Sequence, residues 1–319
     1  MDGIKTLQQA IIHYNSFDNC KAEMVSLRWP DGVVKCPRCG SDHVVYLEKA
    51  RVWKCYGKHD RQKFSLKTGT IFEDSPIGLD KWLAALWLVV NCKNGVSSCE
   101  VARDLGVTQK TAWFMNHRLR FALNGGGLGK LSGEVEADET FIGGKARNMH
   151  ASKRAVKITG TGGKDKTAVM GILERGGKVR TTVVPNRKKS ALQAEVRKHV
   201  EAGSALFTDA LKSYDGLGEF EHQVVDHAVE YVNGKVHTNG MENFWSLLKR
   251  GLNGTYISVE PFHLFRYLDE QTFRYNNRKE MNDYDRFRLA LSQITGKRLT
   301  YEHLTGKDRN HTEGATAGI

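Results

Sequence analysis

The chain has 319 residues, 26% of them charged, with a formal net charge of +12 and a pI near 9.4. That length allows two or three domains, and no apolar run reaches the ~18 residues of a membrane span. A basic surplus of this size favours a polyanionic partner, nucleic acid first, because Lys and Arg gain affinity by releasing counterions from phosphates.

The N-terminus lacks the basic-then-apolar pattern of a signal peptide, which predicts a protein retained in a reducing cytoplasm, and on the nucleoid when bound to DNA. Its six cysteines are then not a disulfide framework. Cys36-Pro-Arg-Cys39-Gly has knuckle spacing, and Trp53-Lys-Cys55-Tyr-Gly-Lys-His59 offers two more ligands after a hairpin-like insert, Val44 to Trp53. Three thiolates and an imidazole close a tetrahedral structural zinc site of one ion. The second knuckle is not Cys-x-x-Cys, so the fourth ligand is open between His59, the first choice, and His43. Cys20, Cys92 and Cys99 lie at no ligand spacing and read as ordinary thiols.

Three helices follow between Leu79 and Leu123. Trp82, Leu86 and Val89 form one stripe. Ser97 with Glu100 forms a capping box before Val101 and Leu105, Gly106 interrupts, and Thr108 caps a third helix. That helix is expected to turn Ala112, Met115 and Leu119 inward and Lys110, Asn116, Arg118 and Arg120 outward. A Gly-containing turn before a basic helix fits helix-turn-helix recognition of DNA, the alternative being an ordinary three-helix bundle with a solvated basic face. Asn124-Gly-Gly-Gly127 reads as a hinge.

Beyond it, Glu134 to Thr140 alternates like a strand, with Glu136, Asp138 and Thr140 on one face and Val135 and Ala137 on the other. Residues 143–166 hold seven Lys or Arg against the single acid Asp165, a composition expected of a mobile loop that phosphate neutralises, or of a solvated one. Thr167–Glu174 and Val179–Val184 flank a Gly-Gly turn and complete a meander. A helix from Ser190 to Val200, a strand ending at Asp209, another near His222 and a helix after His237 give the order β-β-β-α-β-β-α, a mixed α/β sheet. Acids at the ends of buried strands are where open α/β sheets place their sites.

His237-Thr-Asn239-Gly-Met-Glu242-Asn-Phe-Trp-Ser-Leu-Leu-Lys249 begins a helix, with Asn239 and Glu242 read as its capping box. Glu242 and Lys249, seven residues apart, project from one side, and an acid beside a base suits a metal ion and a phosphate. The plainer reading makes Glu242 a cap partner and Lys249 a solvated residue. Pro261 opens a last helix through Asn276. Its aromatics Phe265, Tyr267, Phe273 and Tyr275 are mostly core, and Arg266 and Arg274 at best a DNA-facing edge. After about Lys307 the tail is polar and reads as disordered.

Three blocks, Glu-Ala-Asp138-Glu-Thr-Phe-Ile-Gly-Gly-Lys, Phe-Thr-Asp209-Ala and His-Thr-Asn-Gly-Met-Glu242 through Lys249, together resemble the motifs of a DDE transposase. With Thr68-Gly-Thr-Ile-Phe-Glu-Asp-Ser-Pro76 added, the chain is more closely similar, from about Phe17 to Arg278, to insertion-sequence transposases with an N-terminal zinc ribbon, bacterial relatives of Merlin transposons. The resemblance implies a zinc ribbon at 17–75, a helix-turn-helix domain at 76–124, an RNase-H-like catalytic domain at 130–280 and a C-terminal extension at 281–319. It implies a homo-oligomer on double-stranded DNA, both transposon ends and target. Asp138, Asp209 and Glu242 are its implied metal ligands, the last two 33 positions apart.

Two magnesium or manganese ions held by these acids would activate a water or 3′-hydroxyl and stabilise the leaving oxygen, with no covalent enzyme intermediate. Lys249 would neutralise a phosphate oxygen, with His237 or Asn239 supporting from behind. An RNase H or junction-resolving nuclease shares the acids but does not need both a ribbon and a helix-turn-helix. A DNA-binding regulator derived from a transposase does not need the acids.

Overall fold

The computed structural model describes residues 4–124, 129–144, 150–157, 166–225 and 237–307. In chain order the elements are helices α1 (Leu7–Tyr14) and α2 (Phe17–Arg28), strands β1 (Val44–Leu47), β2 (Val52–Cys55) and β3 (Lys63–Phe64), and helices α3 (Leu79–Asn91), α4 (Ser98–Leu105) and α5 (Gln109–Leu123). Then come β4 (Glu134–Ile142), α6 (Ala151–Lys157), β5 (Thr167–Glu174), β6 (Val179–Val184), α7 (Lys189–His199), β7 (Ala205–Asp209) and β8 (Glu221–Val225). Helices α8 (Asn239–Gly251), α9 (Leu264–Asn276), α10 (Asp283–Ser292) and α11 (Tyr301–Leu304) complete the chain. None of the described helices is long and apolar enough to cross a membrane. The hinge at 125–127, most of the basic loop between 145 and 165, and the tail after Lys307 lie outside the described residues.

Two compact units form. The first joins the N-terminal residues through 124 to residues 279–307, so the stretch set aside as an extension returns to the N-terminal unit. The reason is apolar. Helix α3 is buried nearly all round, from Leu79 to Val90, and α1 and α10 supply its cover. Phe287 of α10, fully buried, lies 5.5 Å from the ring of Tyr14 and 5.5 Å from that of Trp87. The block at 68–76 is the other seat of the returning chain. Ile71 N–H donates to Ile294 O at 3.0 Å, Gly296 N–H donates to Gly69 O at 2.9 Å, and Ile71 and Phe72 are wholly buried.

Helix α4 has the expected capping box of Ser97 and Glu100, Gly106 ends it in the left-handed region at φ 58°, and Thr108 caps α5. The expected outward face of α5 is a correction. Asn116, Arg118 and Arg120 are buried, and of the four residues assigned to that face Lys110 alone is exposed. Arg118 donates from Nη2 to Glu73 O at 2.6 Å and lies over the Trp82 ring, and burial pushes its guanidinium pKa down to about 10. The returning chain covers α5 as well: Tyr301 meets Phe114 edge-on, and Lys297 Nζ donates to Ala122 O at 2.7 Å.

The second unit is a five-stranded sheet in the order β6-β5-β4-β7-β8. β4, β5 and β6 form the expected antiparallel meander, and β4-β7 and β7-β8 are parallel. One face packs Val135, Ala137, Met170 and Ile172 against Leu192 and Val196 of α7. The other packs Val169 and Leu173 against Met241, Phe244, Trp245 and Leu248 of α8 and Leu264 and Leu268 of α9. The α9 arginines form no outer edge, since Arg266 and Arg274 are buried and Arg274 pairs with the equally buried Glu270.

Candidate active site and metal centre

In the ribbon, β1 and β2 pair antiparallel from Val44 opposite Cys55 to Leu47 opposite Val52, and β2 pairs with β3. Trp53 stacks on Phe64 at 5.7 Å and anchors the hairpin. The first knuckle closes with Gly40 N–H donating to Cys36 O at 2.8 Å, Gly40 itself at φ 75°. Ligand atoms of Cys36, Cys39, Cys55 and His59 all lie within 4.8 Å of one another. Cys36 Sγ is 3.5 Å from His59 Nε2, and Cys39 Sγ is 3.6 Å from Cys55 Sγ. Zn–S bonds of ~2.3 Å in a tetrahedron set sulfurs about 3.8 Å apart, so this Cys3His cluster has the dimensions of a structural zinc site. His43 instead packs on Tyr56, 5.0 Å between ring centroids.

The acids come together on the α8 face of the sheet. β4 and β7 run parallel, Glu134 beside Ala205 through Glu136 beside Phe207. Two residues further along each strand stand Asp138 and Asp209. Asp138 is largely buried, and its carboxyl pKa is pushed up to about 6 by that burial, then by the charge of Asp209 and less by Glu242. The Glu139 N–H and the Trp245 indole N–H, 3.0 Å from Asp138 Oδ2, work against the rise. Trp245 therefore ties α8 to the first acid. Asp209 Oδ1 accepts the Leu211 N–H at 3.2 Å. Glu242 and Lys249 lie on the exposed side of α8, opposite buried Met241, Phe244, Trp245 and Leu248. Among the described residues, the ribbon's Cys3His set is the one group of three or more His, Cys, Asp or Glu placed closely enough to hold a metal ion. The three acids share a field rather than a tight cluster.

The start of α8 needs a second correction. Its N-cap is Thr238, with Asn239 the first helical residue, so no box joins Asn239 to Glu242. The acceptor comes from the sheet: Glu136, 1% exposed, takes the Met241 N–H on Oε2 at 2.9 Å. A carboxylate suits the positive end of a helix. Glu136 Oε1 receives Arg175 Nε at 2.9 Å and lies 3.4 Å from His237 Nδ1.

A fourth acid, Glu139, sits on the α7 face of the sheet and accepts a hydrogen bond from the buried Tyr214 hydroxyl. Burial, then the charges of Asp209 and Asp138, push its pKa up to about 8, with Arg187 opposing. Glu136 already stood on the correct strand face in the sequence. Glu139, Arg175, Tyr214 and Trp245 had no local signal, because their partners are remote.

Comparison with known proteins identifies the family. Residues 130–276 match the model of the ISXO2-like transposase domain, and residues 16–57 match that of the transposase zinc-ribbon domain. A protein of Halobacterium salinarum, described as an uncharacterized protein in transposable element ISH50, is 30% identical over 245 residues, covering 72% of this chain and 81% of that one. An uncharacterized transposase-like protein of Haemophilus influenzae is 35% identical over 102 residues, 31% of this chain and 82% of its own. No solved structure matches. With its ribbon, its acid-bearing mixed sheet and a relative matched over most of both chains, the protein belongs to the insertion-sequence transposases that carry an N-terminal zinc ribbon.

Proposed function

We propose that the protein binds the terminal inverted repeats of its insertion sequence and catalyses metal-dependent DNA cleavage and strand transfer, with Asp138, Asp209 and Glu242 as the ligands of two magnesium or manganese ions. The observation that carries this reading is that Asp138, in the middle of β4, and Asp209, at the end of the neighbouring parallel strand β7, each stand two residues past the paired Glu136 and Phe207, under the helix that bears Glu242. Three carboxylates, without thiolate or imidazole, are the donor set of a hard divalent cation. Burial and mutual repulsion at Asp138 are relieved by such a cation. The sheet order, an antiparallel meander followed by two parallel strands, supports an RNase-H-like domain.

Bound there, divalent ions supply Lewis-acid activation of the attacking oxygen and stabilise the leaving one. The chain's own groups do the rest. Trp245 fixes Asp138 by a hydrogen bond, α8 presents Glu242, and Lys249 on the same exposed side neutralises a nonbridging phosphate oxygen. The ribbon and the α4-turn-α5 pair serve DNA binding, with Lys110 the exposed cation that α5 retains. A homo-oligomer on the DNA ends completes the reading.

The test is cleavage of a labelled transposon end in magnesium or manganese. Asp138→Asn, Asp209→Asn and Glu242→Gln should bind the end like the wild type and lose cutting by several orders of magnitude, while Asn239→Asp stays active. Robust cutting by Glu242→Gln removes that residue from the set, and an inert Asn239→Asp transfers the role to Asn239.

A further inference from the structure

Arg175 lies on none of the elements that carry the three acids, yet it contacts β4, β7 and the residue just before the N-cap of α8. It follows β5, and its backbone N–H donates to Glu134 O at 2.9 Å. From there the guanidinium reaches β4 through Nε to Glu136 Oε1 at 2.9 Å and Nη1 to Glu134 Oε2 at 3.2 Å. It reaches the entry of α8 through Nη2, 2.7 Å from His237 O and 3.2 Å from His237 Nδ1. Its Cζ lies 4.1 Å from the centroid of the Phe207 ring on β7. Each contact is close to an acid in sequence: Glu136 is two residues before Asp138, Phe207 two before Asp209, and His237 five before Glu242.

On the reading of these acids as the metal ligands, we infer that Arg175 is the positioning residue of the site, a planar fork that fixes the relative placement of β4, β7 and the start of α8. Two features favour placement over bulk stability. The guanidinium is mostly buried, with its side chain 16% exposed, and its partner Glu136 is 1% exposed and also caps α8. A fork with several donors at set angles orients several partners together; a lysine ammonium, a compact point charge, keeps the charge and loses the angles. Residues that orient metal ligands typically change metal affinity about 10- to 100-fold when replaced.

The experiment uses the full chain and three readouts: melting temperature, binding to a labelled end, and manganese affinity. The last is measured as the manganese concentration giving half-maximal cleavage and, without DNA, as free manganese remaining by electron paramagnetic resonance. Arg175→Lys should melt within a few degrees of wild type and bind DNA normally, while its manganese requirement rises about 10-fold or more in both measurements. Equal manganese affinity in both overturns the inference. If Arg175→Lys does not fold, Phe207→Leu carries the test: it removes the ring beneath the guanidinium, and a raised manganese requirement supports the inference while an unchanged one overturns it. Glu242→Gln serves as the control. An inert Glu242→Gln beside an Arg175→Lys indistinguishable from wild type sinks this inference alone, whereas an active Glu242→Gln sinks the reading of the acids themselves.

Discussion

Gly171 of β5 sits opposite Asp138 in the β4-β5 ladder, directly beneath α8. A Cβ at this position would lie 2.1 Å from Met241 Cε and 2.7 and 2.9 Å from two ring carbons of Trp245. Methionine is flexible and its terminal methyl can swing away. The indole cannot turn freely, because its Nε1–H donates to Asp138 Oδ2. Ordinary carbon contact begins near ~3.5 Å, so the ring, and α8 with it, must retreat by about 0.8 Å. Overpacking of this kind costs about 1–3 kcal/mol, or roughly 2–12 °C in melting temperature for a unit of this size. A displacement near 1 Å at reacting groups can cost about 100-fold in rate. Gly171→Ala is therefore expected to fold, bind transposon ends, melt several degrees lower and cut about two orders of magnitude more slowly, in thermal unfolding by circular dichroism and in single-turnover cleavage. A Gly171→Ala enzyme that cuts at the wild-type rate would refute the claim that the close seating of α8 on β5 sets the geometry of the acids.

The ribbon should hold one zinc ion by metal analysis; His59→Ala should surrender it to a chelator faster than wild type, and His43→Ala should hold it unchanged. Arg118→Gln should lower the melting temperature, because leaving the part-buried Glu73 carbonyl without its donor costs up to about 1–3 kcal/mol, while the preference for terminal over random DNA stays the same; a lost preference would return Arg118 to the DNA surface. A fragment ending at Asn124 keeps Tyr14 and Trp87 but lacks the Phe287 ring that packs on both, each aromatic pair contributing about 0.5–1.5 kcal/mol beyond burial. It should expose apolar surface to a dye, and covalently restoring residues 279–307 should abolish that signal; equal dye binding by the two fragments would contradict the assignment of α10 to this unit.

Where partners are close in sequence, the residues were enough. Ser97 and Glu100 cap α4, Gly106 ends it, and the alternation from Glu134 to Thr140 puts Glu136 and Asp138 on one face, because these features depend on helix and strand periodicity alone. Where partners are remote, they were not. The polar stretch of α5 reads as a solvated basic face until Tyr301 and Lys297 close over it. Asn239 has the type and spacing of a cap, but the first turn of α8 is held through the Met241 N–H by Glu136, 105 residues before that methionine. Arg175 looks like an ordinary turn residue, and its importance exists only once three elements converge on it.

The central claim, that Asp138, Asp209 and Glu242 together support metal-dependent strand transfer, is tested most directly by joining. A pre-cut transposon end with a free 3′-hydroxyl is incubated with plasmid target, magnesium and the full chain, and joined product is measured on a gel. The account predicts joining by the wild type, none without divalent metal, and none by Glu242→Gln although it binds the end with unchanged affinity. Joined product from Glu242→Gln, or from the wild type in chelator, would contradict it.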